Sequence, residues 1–123
     1  MDFSQLSKTF STRHLLKDDT LFREGDEHGD GYIIKEGSII LTRKLGVAIM
    51  RAAIIEKEEV LGVWKVLFNT KKRFFTAKAL VTTSVLVIPE QNLKSIINNA
   101  DPFLIYCFKQ WLNVTRGFMH DYK

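Results

Sequence analysis

The pattern of apolar and polar positions changes character twice along this chain. Near the start, Phe3, Leu6 and Phe10 recur at intervals of three and four, a helical spacing. From Arg13 to Ile88 the apolar residues gather into short runs separated by turn-forming residues. The runs Leu15–Leu16, Leu21–Phe22, Tyr32–Lys35, Ser38–Arg43, Val47–Ile55, Val60–Val63, Phe74–Leu80 and Ser84–Ile88 are expected strands. Between them lie turns at Lys17-Asp18-Asp19, Glu24 to Gly31, Glu36-Gly37, Leu45-Gly46, Glu56 to Glu59 and Asn69 to Lys72. Short strands this closely spaced predict a sandwich or barrel.

After Pro89 helical spacing returns. Leu93, Ile96 and Ile97 share one face of a short helix starting near Glu90 and ending around Asn98-Asn99. Asp101-Pro102 is a start signal for a second helix, with Asp101 as N-cap and proline in the first turn. There Leu104, Phe108, Trp111, Thr115, Phe118 and Tyr122 recur at alternating steps of four and three. Such a stripe either packs onto the β-domain or forms a subunit interface, and little chain remains to cover it. Phe108, Trp111, Thr115 and Phe118 are the expected dimer contacts. Gly117 weakens the helix locally, but no closing signal stops it before Lys123, so it is expected to continue in a longer protein.

Composition supports one domain. The 123 residues are 46% hydrophobic and 26% charged, with two prolines and seven glycines, and no low-complexity linker divides them. Residues 1–100 form the expected β-roll unit and 101–123 the start of its long helix. The longest apolar run is too short to cross a membrane, and the N-terminus lacks the basic and apolar regions of a signal peptide. A single cysteine, Cys107, forms no internal disulfide and suits a reducing cytoplasm. The net charge of +4 is spread over separate segments (Arg43/Lys44/Arg51, Lys71/Lys72/Arg73, Lys109/Arg116/Lys123), which reads as a solvated basic surface.

Enzyme patterns are weak. His14, His28 and His120 are far apart and no pair has metal-ligand spacing. A metal-dependent cupin barrel needs clustered histidines, and His28 has only Glu36 nearby in sequence. No phosphate-loop or dinucleotide fingerprint occurs, and one cysteine does not ligate an iron–sulfur cluster. No haem-ligand signal stands out, so the expectation is a non-enzyme with no cofactor and no metal.

Two segments carry more. Leu21-Phe22-Arg23-Glu24-Gly25-Asp26, followed by Tyr32 to Ile39 with Gly37, reads as strand and glycine turn in repetition. Further on, Leu61-Gly62-Val63 leads through Trp64, Val66, Leu67 and Phe68 to a basic tip, Lys71-Lys72-Arg73, and then Phe74-Phe75-Thr76-Ala77-Lys78-Ala79. Backbone N–H groups in such a turn, with a facing guanidinium, suit an anion.

On these residues the chain resembles the cyclic-nucleotide-binding domain family, and more narrowly the effector domains of Crp/Fnr-type bacterial transcription regulators. The resemblance runs from about Leu15 to Leu112. It implies a mainly β fold with C-terminal α-structure: a double-stranded β-helix (jelly-roll or β-roll) with a short N-terminal helix, a short helix and a long dimerisation helix. The second segment then corresponds to the phosphate-binding cassette, F-G-E followed further on by R-x-A-T-V-x-A. Gly62 takes the glycine position, Arg73 the phosphate-binding arginine, and Thr76 and Ala79 match downstream. The family's ribose-binding glutamate falls at Val63, and small residues after the arginine fall at Phe74 and Phe75. Valine accepts no hydrogen bond, and a buried ribose hydroxyl left unpaired costs about 1–3 kcal/mol. Two phenylalanines also occupy space that a phosphate needs.

The expected ligand-site residues are therefore Gly62, Val63, Arg73, Phe74 and Thr76, in a pocket degenerate toward cyclic AMP that takes another small molecule or peptide, or none. The expected function is the sensory and dimerisation domain of a Crp/Fnr-type regulator: a homodimer through the C-terminal helix, with no membrane partner. Contact with DNA would come only through a helix-turn-helix outside this chain. The alternative is a stand-alone cyclic-nucleotide-binding regulatory module.

Overall fold

The computed structural model describes residues 2–115, with side chains described as far as residue 111. Eight strands follow a short helix: α1 (Phe3–Thr9), β1 (Ser11–Leu15), β2 (Thr20–Phe22), β3 (Gly31–Glu36), β4 (Ile39–Leu45), β5 (Ala48–Ile55), β6 (Val60–Leu61), β7 (Thr76–Ala79) and β8 (Thr83–Ile88). A one-turn helix, α2 (Trp64–Leu67), separates β6 from β7, and α3 (Glu90–Asn99) and α4 (Pro102–Thr115) end the chain. The strands form two four-stranded antiparallel sheets, ordered β1-β8-β3-β6 and β2-β7-β4-β5. Eight antiparallel strands in two such sheets are the expected β-roll.

Strand alternation explains why this sequence builds two cores. On β3, Tyr32 and Ile34 enter the space between the sheets with Leu15, Phe22, Ile39 and Val85, while Ile33 points outward. Ile33 joins Leu86, Ile88 and Leu93 in a second cluster, roofed by Phe3, Leu6, Phe10, Val63 and Val66. Both faces of β3 and β8 are thus covered, which is why Tyr32-Ile33-Ile34 and Val85-Leu86 are apolar without alternating. The β4–β5 hairpin is the opposite case: its register closes Leu45 on Ala48 and its outer half is exposed.

Most sequence-based elements lie within a residue or two of the observed ones. Three differ. The first strand starts at Ser11, because Ser11 to Leu15 all pair with β8 although only Leu15 is buried. The expected strand Val60–Val63 stops at Leu61, where Gly62 (φ +80°) turns the chain into α2. The expected strand Phe74–Leu80 begins only at Thr76, since the backbone of Arg73 is bonded to the Glu24–Asp26 turn instead of a strand.

The C-terminal helices start as their sequence signals require. Asp101 Oδ1 accepts from the Phe103 N–H at 2.8 Å, capping α4. Leu104, Phe108 and Trp111 are exposed, Trp111 by 62%, so these three residues of the stripe are not part of the β-roll core. The side chain of Thr115, and Phe118 and Tyr122 entirely, lie outside the described residues. No helix among the described residues is long and apolar enough to span a membrane.

Candidate functional site

The two segments singled out in the sequence meet at Arg73. Its N–H donates to the Asp26 carbonyl and its carbonyl accepts from the Gly25 N–H, both at 2.8 Å. The Glu24–Asp26 turn and the cassette strand are thereby locked together. Thr76 completes the join: its Oγ1 accepts from the Glu24 N–H at 3.0 Å.

The Arg73 side chain is only 4% exposed. Its two terminal nitrogens donate to main-chain carbonyls, Nη1 to Gly62 at 2.7 Å and Nη2 to Asp30 at 2.6 Å. The guanidinium carbon lies 4.1 Å from the centre of the Phe22 ring, which itself stacks on Tyr32. Burial lowers the pKa of this arginine from its ordinary value, because desolvation penalises the charged form. Burial likewise raises the Tyr32 phenol, with the charge of Asp30 adding to the effect.

Asp30 extends the linkage. Its carbonyl holds Arg73, while its side chain accepts from the Glu90 N–H at 2.8 Å, at the start of α3. Glu90 in turn accepts from the Gly29 N–H at 2.7 Å and pairs with Lys94 at 3.0 Å. These contacts hold the Glu90 carboxyl below its ordinary pKa, the Lys94 bond being the larger cause. Arg73, the loop before β3 and the first turn of α3 therefore form one bonded chain.

Gly62 is required where it stands. At φ +80° an L-residue is strained, and a Cβ would lie 3.1 Å from both Arg73 Nη1 and the Asp30 carbonyl. A methyl group here would push apart the arginine and one of its acceptors.

The expected site residues divide. Gly62, Arg73 and Phe74 border a common cavity, together with Trp64 and Phe75. Its volume is only about 30 Å³, a tenth or less of the roughly 300–1,000 Å³ typical of small-molecule sites. Phe75 belongs to the main core, and Phe74 and Trp64 pack against it. Val63 is not on the wall of this cavity. It borders an adjoining one of about 80 Å³ that shares Leu41, Gly62 and Trp64 with the first. It also packs against the second cluster, its Cγ1 3.0 Å from where a Cβ on Gly31 would stand. Thr76 is absent from the cavity lining and serves the Glu24 turn instead. The reading of Arg73 as a surface residue of a basic tip is excluded by its burial.

Phe22, Asp30 and Tyr32 were not among the residues expected at the site. Asp30 is 43 positions from Arg73, and nothing in its local sequence marks its carbonyl as an acceptor. Among the described residues no group of three His, Cys, Asp or Glu side chains is placed to hold a metal ion.

The family model described as the cyclic nucleotide-binding domain matches residues 12–100, most of the chain. The chain belongs to the cyclic nucleotide-binding domain family. Solved structures agree on the cyclic nucleotide-binding fold. The cAMP-bound EAL enzyme Bd1971 superposes with a TM-score of 0.76 at 20% identity, over 89% of this chain and 30% of that one. The N-terminal domain of a transcriptional regulator from Streptomyces coelicolor A3(2) is 28% identical, with a TM-score of 0.66 over 77% of this chain and 66% of that one. The catabolite activator protein of Thermus thermophilus is 18% identical, with a TM-score of 0.71 over 96% of this chain and 54% of that one. The cyclic nucleotide-binding domain therefore spans less than a third of the Bd1971 chain and about half of the Thermus one. A search of curated proteins gives no match.

Proposed function

We propose that this domain is the sensory and dimerisation part of a Crp/Fnr-type transcription regulator whose nucleotide pocket is closed, so that cyclic AMP is not its signal. The observation that carries this reading is the occupied interior. Where a cyclic phosphate would sit, Arg73 is engaged by two of the protein's own carbonyls, and Trp64, Phe74 and Phe75 leave about 30 Å³. A phosphate at Arg73 would meet a guanidinium with one N–H of Nη1 and one of Nη2 already given to the protein's own carbonyls, and would have to compete for a side chain held in place by them. A ribose reaching the adjoining cavity would find Val63, which accepts no hydrogen bond.

The bonded chain from Arg73 through Asp30 to α3 gives such a domain a route from interior to helices. An effector that separated Arg73 from the Asp30 carbonyl would loosen the loop whose side chain caps α3. The ends of α3 and α4 would then be free to reorient. Dimerisation through α4 is supported by the exposure of Leu104, Phe108 and Trp111 along one stripe of that helix. Residues 1–100 would form the sensor and 101–123 the relay, DNA being reached only through a helix-turn-helix beyond this chain.

Light scattering tests the assembly. Twice the chain mass at micromolar concentration is expected, falling to one chain mass in Phe108→Ser/Trp111→Ser; a monomeric wild type overturns the interface. The reading frame after Lys123 tests the regulator assignment. A helix-turn-helix there supports it, and a stop codon favours a stand-alone module.

A further inference from the structure

We infer that the cleft between α2, α3 and α4 is a second ligand site, built for a small polyanion such as a phosphate-bearing metabolite. Its volume is about 410 Å³, more than ten times that of the Arg73 cavity and within the usual range for small-molecule sites. Three lysines border it, one from each helix: Lys65, Lys94 and Lys109. Among the described residues the only carboxylate on its wall is Glu90.

Charge in the cleft is not balanced. Glu90 is already committed to the Gly29 N–H and to Lys94. Among the described residues Lys65 and Lys109 make no salt bridge, Lys65 acting on Glu90 only at longer range, and Lys109 Nζ lies 5.8 Å from the centre of the Phe68 ring. Three ammonium groups against one carboxylate leave a concave surface of net positive charge, and low-dielectric walls strengthen its field. Asn69, Thr70 and Asn98 add neutral polar groups along the same wall. The rim carrying Asn69 and Thr70 is held in place, because the Thr70 N–H donates to the Lys65 carbonyl at 2.9 Å. A ligand with several negative oxygens matches this set; a neutral ligand of the same size does not.

Position gives the site a consequence. Lys65 and Thr70 border both this cleft and the closed Arg73 cavity, so α2 and the turn after it are a shared wall. An anion gripped by Lys65, Lys94 and Lys109 would tie α4 to α2 and α3 and fix the angle at which α4 leaves the domain. The inference does not depend on the Arg73 cavity being closed to cyclic AMP.

Calorimetry and amide NMR with pyrophosphate, ATP and adenosine test it on the whole chain. The expectation is one saturable site per chain for pyrophosphate and ATP, none for adenosine, weakening as salt rises. Amide shifts should centre on Lys65, Lys94 and Asn98. Lys65→Gln/Lys109→Gln should weaken binding at least tenfold, while Lys71→Gln/Lys78→Gln, exposed lysines outside the cleft, should leave it unchanged. Equal weakening in both pairs, unsaturable binding, adenosine binding as well as ATP, or shifts centred on Arg73 and Phe75 would each overturn the assignment.

Discussion

Replacing Arg73 by alanine separates a structural arginine from one held in reserve for a ligand. The substitution removes two hydrogen bonds from a charged donor, at 2.6 and 2.7 Å, each worth about 1.5–3 kcal/mol. It also removes the guanidinium from the face of Phe22 at 4.1 Å, a contact worth about 1–2 kcal/mol when desolvated. Against these losses stands the relief of a buried cation, whose cost is several kcal/mol after relaxation. Water entering the vacated space would also solvate the Gly62 and Asp30 carbonyls. The balance is a net loss of about 3 kcal/mol. In urea, with a slope of about 1.5 kcal/mol/M, the midpoint should fall by about 2 M. Arg73→Lys should lie between, since one ammonium does not reproduce a fork that bridges two carbonyls. A midpoint shift in Arg73→Ala of less than about 0.3 M would refute the reasoning: the two carbonyl bonds would then contribute nothing net and the arginine would be free for a phosphate.

Two glycines at positive φ give a matched comparison. Gly62→Ala meets Arg73 Nη1 and the Asp30 carbonyl, whereas Gly46→Ala at φ +64° meets nothing within 4 Å; chemical denaturation should show about 1–2 kcal/mol for Gly46 and more for Gly62, and equal losses would deny the crowding. Asp101→Ala removes the cap on the Phe103 N–H and should cost about 1 kcal/mol with a loss of helical ellipticity, while Asp101→Asn should retain both. Urea midpoints across pH should fall at both ends. The Tyr32 pKa is raised above 10.0 in the folded state, so its stabilisation is present below pH 10 and lost as pH rises through the folded value. The Glu90 pKa is lowered below 4.5, so its contribution is present above pH 4.5 and lost as pH falls. Tyr32→Phe should flatten the alkaline limb and Glu90→Gln the acid one.

The fold was legible because its signals are local. Turn residues at Glu24 to Gly31, Glu36-Gly37 and Leu45-Gly46 bound the strands, and Asp101-Pro102 marks the start of α4. Ser11 to His14 were not legible as strand, because that segment is held by pairing with β8 and buries almost nothing until Leu15. Around the site, Gly62 and Arg73 were readable from motif order, and the bulk of Phe74 and Phe75 from their size. What Arg73 bonds to was not. Its acceptors are main-chain carbonyls, which carry no residue signature, and one of them, at Asp30, comes from a distant loop. Val63 shows the same limit: the sequence says that it accepts no hydrogen bond, while its place beside Gly31 and Leu93, against the second core, is seen only in the fold.

The proposed closure of the interior is tested most directly by titrating cyclic AMP into the purified chain in a calorimeter, with cyclic GMP alongside. No saturable heat from either nucleotide at concentrations up to about 1 mM, the level of a binding energy near 4 kcal/mol, is the expected result. Stoichiometric binding with a micromolar Kd, accompanied by chemical-shift changes at Arg73, Trp64 and Phe75, would contradict it.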